Sequence, residues 1–329
     1  MKAMTLTAFD TPPALAELTD PTPAANEVLV RVRASSVNPV DNSIAAGMLT
    51  QMGVDYEFPV ILGRDYAGVV EAIGSEVSRF AVGDEVFGFL LHANPAAHQG
   101  TWAELITVSE SISIAHAPSG VDLAAAGAAP LAGVTAMLAI DAVELSGGET
   151  VLIVGATGGV GSIAVQLATR AGATVVAPAL PEDEDYLRGL GVGEVLPREG
   201  DLEAVARERY PDGFDAVLDL VNYGPTAPAS LVKDGGRVAS PTGAAGDGPG
   251  RTMIMAAPTP ENLERLADLL ADGLRVPIHA TYELANAPDA LATLATTHIQ
   301  GKLAVRVDAS SRGCRRRGTA PRRCSRRGR

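Results

Sequence analysis

The stretch Val151-Leu-Ile-Val-Gly-Ala-Thr-Gly-Gly-Val-Gly-Ser162 constrains the fold of this chain more than any other part of it. An apolar run of strand length meets a glycine-rich turn, and the turn opens onto Ser162–Ala171, where apolar residues recur at helical spacing until Gly172. That order suits a pyrophosphate. Gly158 lets backbone approach the phosphates, and Gly161 lets the helix lie close on the strand. The helix start adds unpaired N–H groups and the positive end of its dipole. A glycine run alone often serves only a tight turn; here the strand before it and the helix after it point to a dinucleotide site. Its candidate contacts are Ala156, Thr157, Gly158, Gly159, Val160 and Gly161.

Around this loop strands alternate with helices. Thr150–Val154, Thr174–Ala177, Glu194–Leu196, Phe214–Val221, Arg237–Ser240 and Thr252–Ala256 read as strands, and Asp183–Leu190, Leu202–Arg209 and Glu261–Ala271 as helices. The order predicts an α/β fold, a doubly wound parallel sheet of Rossmann type with both faces covered. Residues 1–118 read differently, as short alternating segments such as Glu27–Arg33 and Gly68–Ile73 between turns, which predicts a small, mostly antiparallel barrel or sandwich. After Gly273 the pattern mixes again, with Ile278–Tyr282 extended, Pro288–Thr296 helical and Leu303–Val307 a strand.

Charge and cysteine usage exclude several functions. The net charge is −13, yet nine of the 26 basic residues are arginines between Arg312 and Arg329, so the rest of the chain sets 17 basic against 39 acidic residues. Such a body repels phosphate backbones and anionic membranes, and 4% aromatic residues is too few for base-stacking platforms. Both cysteines, Cys314 and Cys324, lie in the arginine-rich tail, which excludes a disulfide framework and a thiolate zinc site in the body. Met1-Lys2 leads straight into the alternating stretch Ala3–Phe9 without a signal-peptide core, and the uncharged run Leu123–Ile140 carries Gly127, Pro130 and Gly133, so it reads as a buried helix–loop–helix rather than a membrane span. A soluble, cytoplasmic protein is expected. The tail, residues 309–329, has no apolar periodicity and is expected to be disordered; it reads as a readthrough or frame-shifted extension in preference to a nucleic-acid-binding arm.

The nicotinamide cofactor can be narrowed. NAD-binding units carry an acid at the end of the second strand for the ribose 2′-hydroxyl, and here that position is Pro178 or Ala179. The acids Glu182-Asp-Glu-Asp185 follow instead, with Arg170 and Arg188 as nearby cations. NADPH is therefore expected in preference to NADH.

With these residues in view, the chain resembles the medium-chain dehydrogenase/reductase superfamily, and within it the zinc-free quinone oxidoreductase branch that includes zeta-crystallin. The likeness rests on Ala34-Ser-Ser-Val-Asn-Pro-Val-Asp41 with Gly47, on Leu62-Gly-Arg-Asp-Tyr-Ala-Gly68 followed by Val82-Gly-Asp-Glu-Val-Phe-Gly88, and on Gly155–Gly161 with Gln166-Leu-Ala168. It runs from Met1 to about Val307. The resemblance implies a GroES-like catalytic domain of residues 1–118 with 277–308 returning to it, a Rossmann-type domain of residues 119–276, and a homodimer through the last Rossmann strand near 252–256. The segment Thr252-Met-Ile-Met-Ala256 is apolar enough to need covering. Zinc-dependent branches have a cysteine near position 38 and Gly-His-Glu at 63–65; this chain has Asn38 and Gly63-Arg64-Asp65, so no metal is expected. Hydride would then go to an acceptor that delocalises the resulting charge, a quinone or an α,β-unsaturated carbonyl.

By the same resemblance Asn38 and Asp41 line the cleft near the nicotinamide, Thr135 contacts the carboxamide end, and Gly243 lies by the cofactor; Ala179, at the end of the second strand, is a further candidate cofactor contact. Ser43 and Ala45 replace a tyrosine and an arginine common in the branch, which puts a tyrosine proton donor in doubt, and Asn222 replaces a usual glycine and could narrow the cleft. Other readings stand beside these. Asp41 could cap a helix starting at Asn42; His92 and His98 could donate a proton from their loop, though solvated loop histidines are commoner; His116, His279 and His298 read as structural; Trp102 reads as core packing or a cleft wall. The leading expectation is a zinc-independent, NADPH-dependent oxidoreductase acting on a quinone or enone. The alternatives are an enoyl reductase for an acyl or natural-product intermediate, and an NADPH-binding sensor or RNA-associated protein with little catalysis.

Overall fold

The computed structural model describes residues 1–91, 99–222 and 227–307. The N-terminal part contains β1 (Lys2–Leu6), β2 (Ala14–Glu17), β3 (Glu27–Val37), α1 (Pro39–Ala45), β4 (Val60–Ile61), β5 (Asp65–Ile73), β6 (Glu85–Phe89), β7 (Leu105–Ser109) and β8 (Ala115–His116). Next come α2 (Leu123–Ala128), α3 (Pro130–Ala142), β9 (Thr150–Val154), α4 (Gly159–Arg170), β10 (Thr174–Ala179), α5 (Glu184–Leu190), β11 (Glu194–Pro197), α6 (Leu202–Arg209), β12 (Phe214–Asp219), β13 (Val232–Ser240), β14 (Arg251–Met253) and α7 (Pro260–Ala271). The described chain closes with β15 (Ile278–Glu283), α8 (Ala287–Thr296) and β16 (Lys302–Arg306).

Strands β9 to β14 form a six-stranded sheet in the order β11-β10-β9-β12-β13-β14, with every pairing parallel. This is the doubly wound dinucleotide-binding order, in which ligands sit outside the carboxyl ends of the strands where the order reverses, here between β9 and β12. The centre of the sheet is apolar on both faces because both faces are covered. Val151 and Ile153 of β9 point into one core with α3, α4 and α7, while Leu152 and Val154 point into another with Ala206 of α6. Each such buried aliphatic side chain contributes about 1.5–3 kcal/mol.

A second, mostly antiparallel sheet runs β15-β16-β3-β5-β6-β8, with β7 also on β3, and β2-β1-β4 forms a small sheet beside it. One edge of the long strand β3 is shared by two partners: β7 covers Glu27–Arg31 and β16 covers Ala34–Val37. The pair Leu303↔Val37 sets Lys302 next to the chain leaving β3 at Asn38. Helix α2 packs on β3 and β5, and α3 on α4. The core that fills the parallel sheet also takes in Ala67, Phe87 and Phe89 of the antiparallel one, so the cleft between the sheets has walls anchored in shared packing.

Several sequence-based boundaries shift. Leu123–Ile140 contains no loop, because α2 meets α3 at Ala129, which is itself helical (φ −81°, ψ −41°), and Pro130 opens α3, where a missing N–H costs nothing. Helix α4 begins at Gly159 rather than Ser162, winding the last glycines of the loop into its first turn. The expected strand 252–256 is β14, Arg251–Met253, at the sheet edge. Among the described residues no helix is long and apolar enough to cross a membrane. His92, His98 and the tail from residue 309 lie outside the described residues.

Candidate active site

Gly155 leaves β9 with φ +86°, and Gly158 precedes α4 as its N-cap. A Cβ on Gly161 would stand 2.0 Å from the Gly155 carbonyl oxygen, so the close helix–strand packing expected of this position is real. Among the described residues no side chain caps α4, and the turn that opens it borders a cleft of about 720 Å³ lined by Thr157, Gly158, Ala179, Asp183, Asn222 and His298, among others. An uncapped helix start, a backbone open to close approach and a cleft of this size fit a dinucleotide. The end of α8 and the residues after it also line the cleft, over Leu294–Ile299, and the Gly301 N–H donates to the Thr157 carbonyl (2.7 Å).

That segment leads directly into a buried polar cluster. Lys302 is 4% exposed, and its Nζ donates to Asn38 Oδ1 (2.6 Å) and the Val37 carbonyl (3.1 Å), with Asp65 Oδ2 at 3.5 Å. Asn38 Nδ2 donates to Asp65 Oδ2 (2.8 Å), so both ends of the Asn38 amide are held. Asp65 also accepts from Ser36 Oγ (2.5 Å) and from the Leu131 N–H in the first turn of α3 (2.7 Å), where the helix dipole favours its charge. On the other side, a Cβ on Gly159 would meet Lys302 Cδ at 2.5 Å, so the lysine stem lies directly under the phosphate loop. One buried side chain thus touches both the glycine loop and Asn38.

Two family models match the chain: the alcohol dehydrogenase GroES-like domain over residues 24–119 and the zinc-binding dehydrogenase model over residues 190–305. The chain is 32% identical over 309 residues to a chloroplast envelope quinone oxidoreductase homolog of Arabidopsis thaliana, covering 87% of this chain and 91% of that one. It is 32% identical to an NADPH-dependent alkenal/one oxidoreductase of the same plant, covering 85% and 72%. Its fold superposes on the quinone oxidoreductase from Coxiella burnetii with a TM-score of 0.83 at 29% identity, covering 94% and 99%. The chain belongs to the quinone oxidoreductase branch of the medium-chain dehydrogenase/reductases.

The name of the second matching model raises the question of zinc. At the places where zinc-dependent members of the superfamily hold thiolate and imidazole, a dication would meet the amide of Asn38, the guanidinium of Arg64 and the neighbouring Lys302 ammonium. These residues do not fit the metal. Among the described residues no group of three or more His, Cys, Asp or Glu comes together to hold one. Arg64, 3% exposed, instead ties loop backbone together, its guanidinium donating to the Gln99 (2.7 Å), Leu91 (3.3 Å) and Ile61 (3.4 Å) carbonyls.

Asp41 sits beside this group. It does not begin a helix at Asn42; it is the third residue of α1, which starts at Pro39, and its Oδ2 accepts from the Asn38 N–H (2.7 Å). Its Oδ1 is buried without a hydrogen-bond partner among the described residues, as are Arg64 Nε and the Tyr56 hydroxyl. Burial pushes the Asp41 carboxyl up to about 6, against the opposing pull of Arg64 and the Asn38 N–H. Burial likewise lowers Arg64, partly offset by Asp41, and lowers Lys302, partly offset by Asp65.

The remaining expected residues divide. Thr157, Gly158 and Ala179 line the cleft, whereas Ala156 is buried in the core under α4. Thr135 lies in α3 with its hydroxyl donating to the Leu131 carbonyl (2.6 Å), and Gly243 lies in the turn after β13 (φ +83°); neither is among the cleft-lining residues. Asn38 and Asp41 are buried and are not among the cleft-lining residues either; Asn38 is bonded to Lys302, whose stem lies against Gly159. Asn222 lines the cleft, but its amide turns to the Asp219 carboxylate (2.9 and 3.1 Å). Trp102 is fully buried and donates to the Ser36 carbonyl (3.1 Å), a core role. Of the cations, Arg170 pairs with Asp272 and Arg188 with Glu184 outside the lining, whereas Arg198 lines the cleft. Strand register could have found Arg198: Pro197 pairs with Ala179, and the Arg198 N–H donates to the Ala179 carbonyl (3.1 Å). His298, read from sequence as structural, is a cleft residue.

Proposed function

We propose that this chain is a zinc-independent, NADPH-dependent oxidoreductase that transfers hydride to a quinone or an α,β-unsaturated carbonyl. The observation that carries the reading is the continuous path from the uncapped start of α4, through Gly301 and Lys302, to Asn38. Similarity to an alkenal/one oxidoreductase and to quinone oxidoreductases supports the acceptor class. The division of labour follows the sheets. Residues 1–118 with 277–308 form the catalytic unit, and residues 119–276 the nucleotide unit.

When bound, the nicotinamide nucleotide supplies the hydride. The start of α4 holds the pyrophosphate through the backbone of Thr157–Gly161. Arg198 offers a positive charge at the end of β11, where Ala179 leaves no acid at the tip of β10, and this favours the additional phosphate of NADPH. Asn38, locked by Lys302 and Asp65, and Asp41, locked onto the Asn38 N–H, hold the wall at the nicotinamide end. A chain with no metal to polarise an acceptor needs one that spreads negative charge over a conjugated system. The exposed Met253 (57%) and Met255 (67%) at the β14 edge support a homodimer through that edge, and the acidic body supports a cytoplasmic small-molecule role.

The test follows NADPH absorbance with an ortho-quinone and with a simple enone, with and without chelator, then with NADH. Chelator-insensitive, NADPH-dependent turnover of either acceptor is expected. Saturable NADPH binding with neither acceptor consumed would refute the enzyme and leave a nucleotide-binding protein.

A further inference from the structure

Asp183 closes the 3-10 turn Pro181–Asp183, four residues beyond Ala179, the position at the end of β10 from which dinucleotide-binding units send an acid to the cofactor ribose. It is among the cleft-lining residues, yet its side chain is fully buried. Two side chains from the distant return segment bury it. His298 Nε2 lies 2.9 Å from both carboxylate oxygens, and Gln300 Nε2 donates to Oδ1 (2.9 Å). Burial by itself would raise the carboxyl, but the bonds from Gln300 and His298 outweigh it and hold Asp183 below the usual range, so the group under the clamp is an anion. Of the other acids of this stretch, Glu184 pairs with Arg188, and Glu182 and Asp185 are exposed. Arg198 lines the same cleft, and no acid pairs with it among the described residues.

We propose that His298 and Gln300 are specificity-determining residues that select NADPH by sequestering Asp183. Left open, this carboxylate would accept hydrogen bonds from a ribose diol and repel a 2′-phosphate, the condition that favours NADH. Clamped, both of its oxygens are engaged by His298 and Gln300 and withdrawn from a ribose, and Arg198 is a cation left lining the cleft. The selecting residues lie on the catalytic side of the cleft, not in the nucleotide unit whose acid they cover. The segment that carries them also donates Gly301 N–H to Thr157, so covering Asp183 and closing the cleft wall are one structural event. This inference rests on the NADPH reading above and adds what enforces it.

The test compares affinities rather than turnover. Nicotinamide fluorescence gives Kd for NADPH and NADH, and calorimetry gives Kd for 2′,5′-ADP and 5′-AMP. These are measured for the wild-type chain, for His298→Ala with Gln300→Ala, and for that pair combined with Asp183→Asn. The paired variant is expected to lose about tenfold or more of the preference for the phosphorylated nucleotides, and Asp183→Asn is expected to restore it. A mere loss of folding would weaken all four ligands together and would not be rescued by Asp183→Asn. A preference unchanged within about twofold in the paired variant overturns the proposal, as does failure of Asp183→Asn to restore it. A wild-type chain that binds NADH as tightly as NADPH overturns the clamp and the NADPH preference, while hydride transfer to a quinone or enone still stands; binding of neither nucleotide overturns the whole reading.

Discussion

Replacing Lys302 by methionine isolates the buried cluster behind the cleft. Methionine keeps most of the stem that lies under Gly159 and removes the ammonium that holds Asn38 Oδ1, the Val37 carbonyl and Asp65. Removing one member of a buried charge pair costs about 3–5 kcal/mol. Asp65 keeps three donors, Ser36 Oγ, Asn38 Nδ2 and the Leu131 N–H, so the expected cost lies at the lower end, about 3 kcal/mol. At about 2–4 °C per kcal/mol for a domain of this size class, the melting temperature should fall by roughly 6–12 °C. Adding Asp65→Asn removes the stranded charge, so the double variant should be more stable than the sum of the single losses by about 1 kcal/mol or more. Differential scanning calorimetry and urea titration of the four proteins measure this cycle. NADPH affinity, read by fluorescence, should stay near the wild-type value in Lys302→Met while turnover falls, because the loop support is kept and the Asn38 clamp is lost. A single-variant loss below about 1 kcal/mol, or strict additivity in the cycle, would refute the account of Lys302 and Asp65 as a coupled buried pair.

Three further outcomes are expected. Gly161→Ala would drive a methyl into the Gly155 carbonyl, so stability should fall by about 1–3 kcal/mol and nucleotide binding should be lost; a calorimetric scan and a fluorescence titration report both. Asp41, raised to about 6 from an ordinary 3.8, disfavours its ionised form in the folded state, so its penalty is absent below about pH 4, grows to pH 6 and is constant above. Relative to the wild type, Asp41→Asn should therefore gain about 2–3 kcal/mol between pH 4 and pH 7 in urea midpoints, and a flat difference would contradict this. Met253→Lys places a charge on the exposed edge of β14 and should shift the chain from dimer to monomer in sedimentation; an unchanged dimer would move the interface elsewhere.

Much of the fold is legible because its signals are local. The β9–turn–α4 unit, the strand-and-helix alternation and Gly161 each follow from short-range rules of burial, period and backbone contact. Asp41 shows where local reading slips: capping preference alone puts it before a helix at Asn42, whereas Pro39 prefers the first helical position and draws the start three residues earlier. The cofactor cations slip for another reason. Arg170 and Arg188 are near the loop in sequence, but helix geometry turns them to partners outside the cleft, while the parallel pairing of β10 and β11 delivers Arg198.

By itself the sequence determined the alternation of strands and helices around the glycine loop, that this loop offers a helix start to an anion, and that the body has no thiolate for a metal, since each depends on residue type and near neighbours alone. Only the tertiary structure decided which polar groups meet. Lys302 reaches Asn38 across 264 residues, and His298 reaches Asp183 across 115. Such pairs leave no periodicity to read, because β16 returning to the edge of β3 brings them together, and burial then makes each unpaired member costly enough to hold the partners in place.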